Sequence, residues 1–195
     1  MKLFLYIVGL FSFGEAINHA YPMFCQASSC LCTTVPCPVS GTNYLSIPGG
    51  GTGTYYYIMH ENYPVISTAS VTVSLSNMDK GSDTTSCTQD YSRMLDDDGV
   101  KDCDAGHILA HRLGGPGNQP LNIFPQDLSV NRGAYAQYED SIYHCITKYG
   151  AKTAFLSWSF SYTDSSRTKP TSVTYKAIYN DGNCSSTTKT FTNGA

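Results

Sequence analysis

Charge is scarce in this chain, and what there is does not favour a basic surface. Charged residues make up 14% of the 195 residues, and 12 Lys and Arg stand against 15 Asp and Glu, a formal net charge of −3. That balance excludes a long basic groove tracking a polyanion through many backbone contacts. Long apolar runs are missing too. The longest, residues 3–13, is too short to cross a bilayer core of about 30 Å, which takes about 20 residues as a helix, and no later segment is apolar enough to span. No internal repeat is visible, which excludes a stacked-repeat architecture. Two metal patterns also fail. Cys30-x-Cys32 is not the usual zinc spacing. The acidic run at residues 93–99 has Asp96, Asp98 and Gly99 like a calcium loop, but His107 stands where such a loop needs its bidentate glutamate. It reads as a solvated turn.

What is present points to export. Lys2, the apolar run and the small residues Gly14 and Ala16 have the order of a signal peptide over 1–16. The mature protein is then expected to be secreted, extracellular and without a membrane segment, leaving about 180 residues, the size of one domain. The eight cysteines, Cys25, Cys30, Cys32, Cys37, Cys87, Cys103, Cys145 and Cys184, all lie beyond that segment. In an oxidising compartment an even set reads as four disulfides, with about 105 possible pairings that sequence does not resolve. Asn183-Cys184-Ser185 has the form of a glycosylation acceptor.

Residues 17–53 form a Cys-, Pro- and Gly-rich N-terminal segment, loop-like from residue 20 because Pro22, Pro36, Pro38, Pro48 and Gly49-Gly50-Gly51 break any regular period. The main domain is expected over 54–195. Strands are predicted at 55–59, 65–75 and 172–179, where aromatic and β-branched residues are dense and Val71-Thr72-Val73-Ser74-Leu75 alternates with period two. The Thr/Ser-rich tail from Ser185 reads as frayed or solvated. A helix is predicted from Leu128 or Ser129 to Tyr149, stopped by Gly150, with a buried stripe of Tyr135, Tyr138, Ile142, Cys145, Ile146 and Tyr149. Most tyrosines fall within these patterns and read as packing residues rather than nucleobase platforms.

The chain is organised around residues 104–139. Asp104-Ala105-Gly106-His107 is followed by Leu121-Asn122-Ile123-Phe124-Pro125-Gln126, then by Asn131-Arg132-Gly133-Ala134-Tyr135 and Glu139. These three pieces, in this order, resemble the DNA/RNA non-specific endonucleases, ββα-metal nucleases with a D-x-G-H signature and an N-x-G helix. The resemblance implies an α+β fold, a mostly antiparallel sheet packed with a few helices, here stapled by disulfides. It implies Mg²⁺-dependent hydrolysis of phosphodiester bonds in DNA and RNA, without sequence specificity, and Mn²⁺ is expected to substitute.

The chemistry suits those residues. A histidine with pKa near 6.5 offers a neutral nitrogen to activate water. Hydrated Mg²⁺ needs few protein ligands, neutralises phosphate charge and assists the leaving oxygen. By resemblance His107 is the general base, with His111 the second candidate and His144 a surface or packing residue. Gly106 would let the backbone approach a phosphate. Asn131 is by resemblance the direct metal ligand. Asn131, Tyr135 and Glu139 are spaced by four and share a face of a regular helix. About 12 Å of helix rise separates Asn131 from Glu139, so Glu139 is expected to act through water on the ion, its bland reading being a solvated helix surface. Asn122 matches an active-site asparagine of the family; its other reading is a turn residue bonding backbone. Arg112 and Arg132 could pair phosphate oxygens. Ala105 departs from the arginine many members carry, which keeps open an inactive nuclease-fold protein that binds nucleic acid or a protein partner. Composition alone would also fit a Tyr/Cys-rich structural coat protein.

Overall fold

The computed structural model describes residues 37–95 and 103–194. The expected signal peptide, most of the N-terminal segment and the acidic turn from Asp96 lie outside the described residues.

A six-stranded antiparallel sheet, in the order β1-β2-β3-β6-β7-β8, forms the frame. Its strands are β1 (Gly41–Ser46), β2 (Thr52–His60), β3 (Tyr63–Ser74), β6 (Thr153–Ser161), β7 (Ser172–Asn180) and β8 (Thr187–Thr192). Side chains alternate across a strand, and the alternation is kept with few exceptions. In β6 Ala154, Leu156, Trp158 and Phe160 are buried while Phe155 and Ser159 face solvent. In β7 Val173, Tyr175 and Ala177 continue the same inner face.

Between β3 and β6 the chain leaves the sheet and builds everything that carries chemistry. This excursion holds α1 (Ser86–Met94), the hairpin β4 (Cys103–His107) and β5 (Ile123–Asp127), α2 (Leu128–Val130) and α3 (Ala136–Thr147). It then returns so that β6 pairs directly with β3. Tyr138, Ile142 and Ile146 of α3 and Leu109, Leu113 and Phe124 fill the space over the sheet. Burying each such aliphatic or aromatic side chain contributes about 1.5–3 kcal/mol. Trp158 Nε1 donates to the Tyr135 hydroxyl at 3.0 Å, which satisfies the indole at the centre of that core. A disulfide joins Cys145 of α3 to Cys184, between β7 and β8, with Cα atoms 5.9 Å apart. Cys37 and Cys87 are also disulfide-bonded.

The fold is the expected α+β, ββα-metal nuclease arrangement, and the strands expected at 55–59, 65–75 and 172–179 lie in β2, β3 and β7. Four local expectations are corrected. Residues 41–46 are not loop but strand, paired with β2, so the sheet begins before the expected boundary at residue 53. The tail from Ser185 is not wholly solvated, because β8 pairs with β7 and buries Phe191. The long helix is not continuous: a π-turn over Asn131–Tyr135 separates α2 from α3. It ends at Thr147, two residues early, which leaves Tyr149 54% exposed rather than in the buried stripe.

Candidate active site

The hairpin and the helix after it form one unit. β4 and β5 pair antiparallel from Cys103↔Asp127 to His107↔Ile123, and β5 runs straight into α2. Asp127 caps that helix, its Oδ1 accepting from Ser129 N at 2.9 Å and Val130 N at 3.1 Å. This is the usual use of aspartate at an N-cap, where a side-chain oxygen satisfies amides with no helical partner. Asn131 and Arg132 are thereby set against Asp104 on β4. Asn131 Nδ2 donates to Asp104 Oδ2 at 2.8 Å, and Arg132 pairs both carboxylate oxygens, at 2.9 and 2.8 Å.

The π-turn decides what the rest of the helix presents. Gly133 has φ −113° and ψ −108°, outside helical values. The wider turn takes up an extra residue and rotates the remainder of the helix relative to α2. Tyr135 therefore does not share a face with Asn131. It is buried, and its hydroxyl donates to Ile108 O at 3.4 Å. Glu139 instead joins Asn131 in lining a cleft of about 500 Å³, together with His107, His111, Arg112 and Arg132.

His107 is held at that cleft by one contact that also fixes its tautomer. Nε2 lies 3.0 Å from the Ser82 carbonyl oxygen. A carbonyl only accepts, so Nε2 carries the proton and Nδ1 is left as the basic nitrogen. Burial lowers the His107 pKa below 6.5; the Ser82 contact and Asp83 oppose this, and His111 adds to it. Gly117 makes room for the ring, since a β-carbon there would lie 2.5 Å from His107 Nε2.

Glu139 as a residue is half-buried, yet its Oε1 is enclosed and has no hydrogen-bond partner among the described residues. Desolvation holds its pKa well above 4.5. The neighbouring phenols of Tyr135 and Tyr175 are pushed up as well, first by their own burial and then by Glu139. A buried carboxylate with no partner is costly unless a cation answers it. Asn131 meets the same cleft with its Nδ2 already committed to Asp104, which turns Oδ1 away from that bond. No group of three or more His, Cys, Asp and Glu able to hold a metal occurs among the described residues. The donor set thus fits a hard cation that keeps most of its own water, and does not fit zinc.

The hairpin, the capped helix and the side chains lining the cleft all lie within the stretch that one known family model covers. The family model for DNA/RNA non-specific endonuclease matches residues 46–179. The chain belongs to that family. The probable deoxyribonuclease RhsA of Dickeya dadantii (strain 3937) is 37% identical over 117 residues, which is 60% of this chain and 8% of RhsA. The chain therefore corresponds to a small part of that relative. Crystal structures of NucA from Streptococcus agalactiae share the fold. The form with magnesium ion bound superposes with a TM-score of 0.50 at 13% identity, covering 80% of this chain and 86% of NucA. The form with no metal bound gives 0.51 at 13%, over 79% and 84%.

Within this endonuclease domain the structure brings His107, His111, Asn131, Arg132 and Glu139 together and leaves others apart. Asn122 is fully buried outside the cleft. Its Oδ1 accepts from Leu109 N at 2.8 Å and from the Tyr55 hydroxyl at 3.1 Å, and its Nδ2 donates to Leu109 O at 2.9 Å. Those bonds brace the segment after His107 and leave no side-chain group to face a substrate. The space beside Gly106 is filled by Gln126, whose Oε1 would lie 2.2 Å from a β-carbon there, so the glycine accommodates a packed side chain. Ala105 packs against the Tyr91, Leu95 and Ile123 cluster. Both arginines are already paired: Arg132 with Asp104, and Arg112 with Asp140 and, at 3.9 Å, with Asp79. His144 pairs with Asp140 at 3.4 Å on α3. Sequence reasoning did not single out Ser82, Asp83 or Gly117. Only Gly117 carried a signal, as one of the glycines in a Gly/Pro-rich loop.

Proposed function

We propose that the protein is a secreted, divalent-metal-dependent endonuclease that hydrolyses phosphodiester bonds of DNA and RNA without sequence specificity. The observation that carries this reading is the convergence of His107, Asn131 and Glu139, with its enclosed carboxylate oxygen, on one cleft. His107 takes a proton from the attacking water through Nδ1, while Ser82 keeps the ring oriented. Its lowered pKa keeps that nitrogen unprotonated at neutral pH. Asn131, through Oδ1, would hold Mg²⁺ or Mn²⁺ directly. Asp104 holds the asparagine amide in that orientation, a support that commonly tunes a metal ligand. Glu139 would supply countercharge to the bound ion through water. When bound, the ion neutralises charge building on the phosphorus and eases departure of the leaving oxygen.

A ribose 2′-hydroxyl has no task in this chemistry, so both nucleic acids serve, and the name of the Dickeya relative supports DNA. The magnesium seen with NucA supports the choice of ion. Export rests on the N-terminal pattern and is consistent with the disulfides at Cys37, Cys87 and Cys145–Cys184. The direct test is to incubate refolded protein and the His107→Ala variant with plasmid and RNA in Mg²⁺. The parent is expected to nick, linearise and degrade both. Equal inertness of parent and variant on every substrate would favour a nuclease fold that only binds.

A further inference from the structure

We infer that His111, presented by Asp83, is the side chain that grips a substrate phosphate in this cleft. This rests on the nuclease reading above and names the anion contact that reading leaves open. A chain of net charge −3 has no general attraction for a polyanion, so apart from the metal ion a cationic contact has to come from side chains of the cleft. Three basic side chains besides His107 line it, and they are not equally available.

Arg112 is held from three sides. It pairs with Asp140, lies 3.9 Å from Asp79, and its guanidinium carbon sits 3.9 Å over the Tyr143 ring. Arg132 is fastened by two parallel bonds to Asp104, whose side chain is only 19% exposed and which also receives Asn131. Taking Arg132 for a phosphate would strand that carboxylate and loosen Asn131 together with it. His111 is different. Its Nδ1 donates to Asp83 Oδ1 at 3.0 Å, and the Asp83 side chain is 91% exposed, so water already solvates this partner. The other ring nitrogen, Nε2, has no hydrogen-bond partner among the described residues. When it carries both protons the ring donates from both nitrogens, one to Asp83 and one to a phosphate oxygen.

The local fold places this contact beside the base. Residues 81–83 buttress both histidines, Ser82 through its carbonyl to His107 and Asp83 through its carboxylate to His111. That segment is clamped to the Gly-rich loop: Ser82 N donates to Gly115 O at 3.2 Å, and Gly117 N donates to Ser82 O at 3.0 Å. Gly81 allows the approach, since a β-carbon there would lie 2.3 Å from His111 O. One short stretch therefore sets the spacing between the proton acceptor and the phosphate grip.

The test uses parent, His111→Ala and His111→Arg with a fluorescein-labelled single-stranded phosphorothioate oligonucleotide in EDTA, read by anisotropy across a salt series. Cleavage of the phosphodiester form in Mg²⁺ is followed in parallel. Losing one charge-assisted contact to phosphate weakens binding about tenfold. It also flattens the slope of log K against log salt by about 0.7, the value for one phosphate on a single strand. KM rises with kcat within about twofold, and His111→Arg restores binding, slope and KM. If the parent cleaves while His111→Ala keeps the parent's affinity and salt slope, the phosphate grip is refuted and the nuclease reading stands. If His111→Ala loses kcat with KM unchanged, His111 acts in the chemical step and the inference fails. A parent that neither binds nor cleaves overturns the nuclease reading and this inference together.

Discussion

Replacing Glu139 with glutamine should make the metal-free protein more stable, although it should destroy activity. Glu139 has a buried oxygen with no partner among the described residues, and burial holds its pKa well above 4.5. A carboxyl whose folded-state pKa is raised binds its proton more tightly when folded. Its contribution is therefore most favourable below about pH 4.5 and is lost as pH rises through the folded-state pKa. At pH 7 the parent keeps either an ionised group in a dry site beside Tyr135 and Tyr175 or a proton taken from neutral solution. Both cost free energy that glutamine avoids. A buried polar group without a partner costs about 1–3 kcal/mol, which glutamine still bears, and more when charged, which is the part glutamine removes. For a chain of this size each kcal/mol moves Tm by about 2–4 °C. Thermal melts of Glu139→Gln and parent in EDTA, from pH 4 to 8, should show the variant ahead at pH 7 and the difference closing toward pH 4. Saturating Mg²⁺ should reverse the order. A ligand at 100 times its Kd adds about 2.7 kcal/mol to the form that binds it, and the variant should gain less. If the variant is less stable than the parent at pH 7 without metal, Glu139 is answered by a group in the protein, and the cation-site argument loses its footing.

His107→Ala should lower kcat by about 10²–10⁴-fold, the usual range for acid–base catalysis. Because burial lowers the His107 pKa, the rising acid limb of the parent's kcat/KM profile should lie below pH 6.5; a limb centred above that value would point to another base. Gly117→Ala should displace the imidazole, since the new β-carbon would meet His107 Nε2 and Asp83 carbon each at 2.5 Å. Activity should fall at least tenfold with the far-ultraviolet circular dichroism unchanged, and full activity would mean that the Ser82–Gly117 clamp does not set the base. Removing the Cys145–Cys184 bridge, which closes a separation of 39 residues, should cost about 4 kcal/mol by loop entropy, measurable by urea denaturation as a shifted midpoint.

The gathering of His107, Asn131 and Glu139 on one cleft was legible in the sequence to the extent that it depends on local order. His107 at the end of a strand, Asn131 one turn into a helix and Glu139 further along are close in the chain, and the hairpin–helix unit that joins them is short. Strands β2, β3 and β7 were legible because one face is buried and the alternation is kept. Strands β1 and β8 were not, because edge strands bury little: Phe191 is the single buried side chain of β8. The π-turn was hidden for another reason. A period of 3.6 assumes a uniform helix, which places Asn131, Tyr135 and Glu139 on one face; the π-turn at Gly133 takes up an extra residue and parts Asn131 from Tyr135, which lies in the core as its place in the buried stripe implied. Asn122 shows the limit of motif matching. Its position fits an active-site asparagine, but the burial and three hydrogen bonds that make it a brace depend on Tyr55 and Leu109, and Tyr55 is 67 residues away. Ser82 and Asp83 were invisible because their role exists only once their loop is clamped against Gly115 and Gly117.

The most direct test of the central claim is plasmid and RNA cleavage by the refolded protein, with Mg²⁺ and with excess EDTA, comparing parent and Asn131→Ala. The account predicts cleavage of both nucleic acids by the parent in Mg²⁺ or Mn²⁺, none in EDTA, and loss of most activity in Asn131→Ala with the helix intact by circular dichroism. Undiminished cleavage in excess EDTA, or full activity of Asn131→Ala, would contradict it.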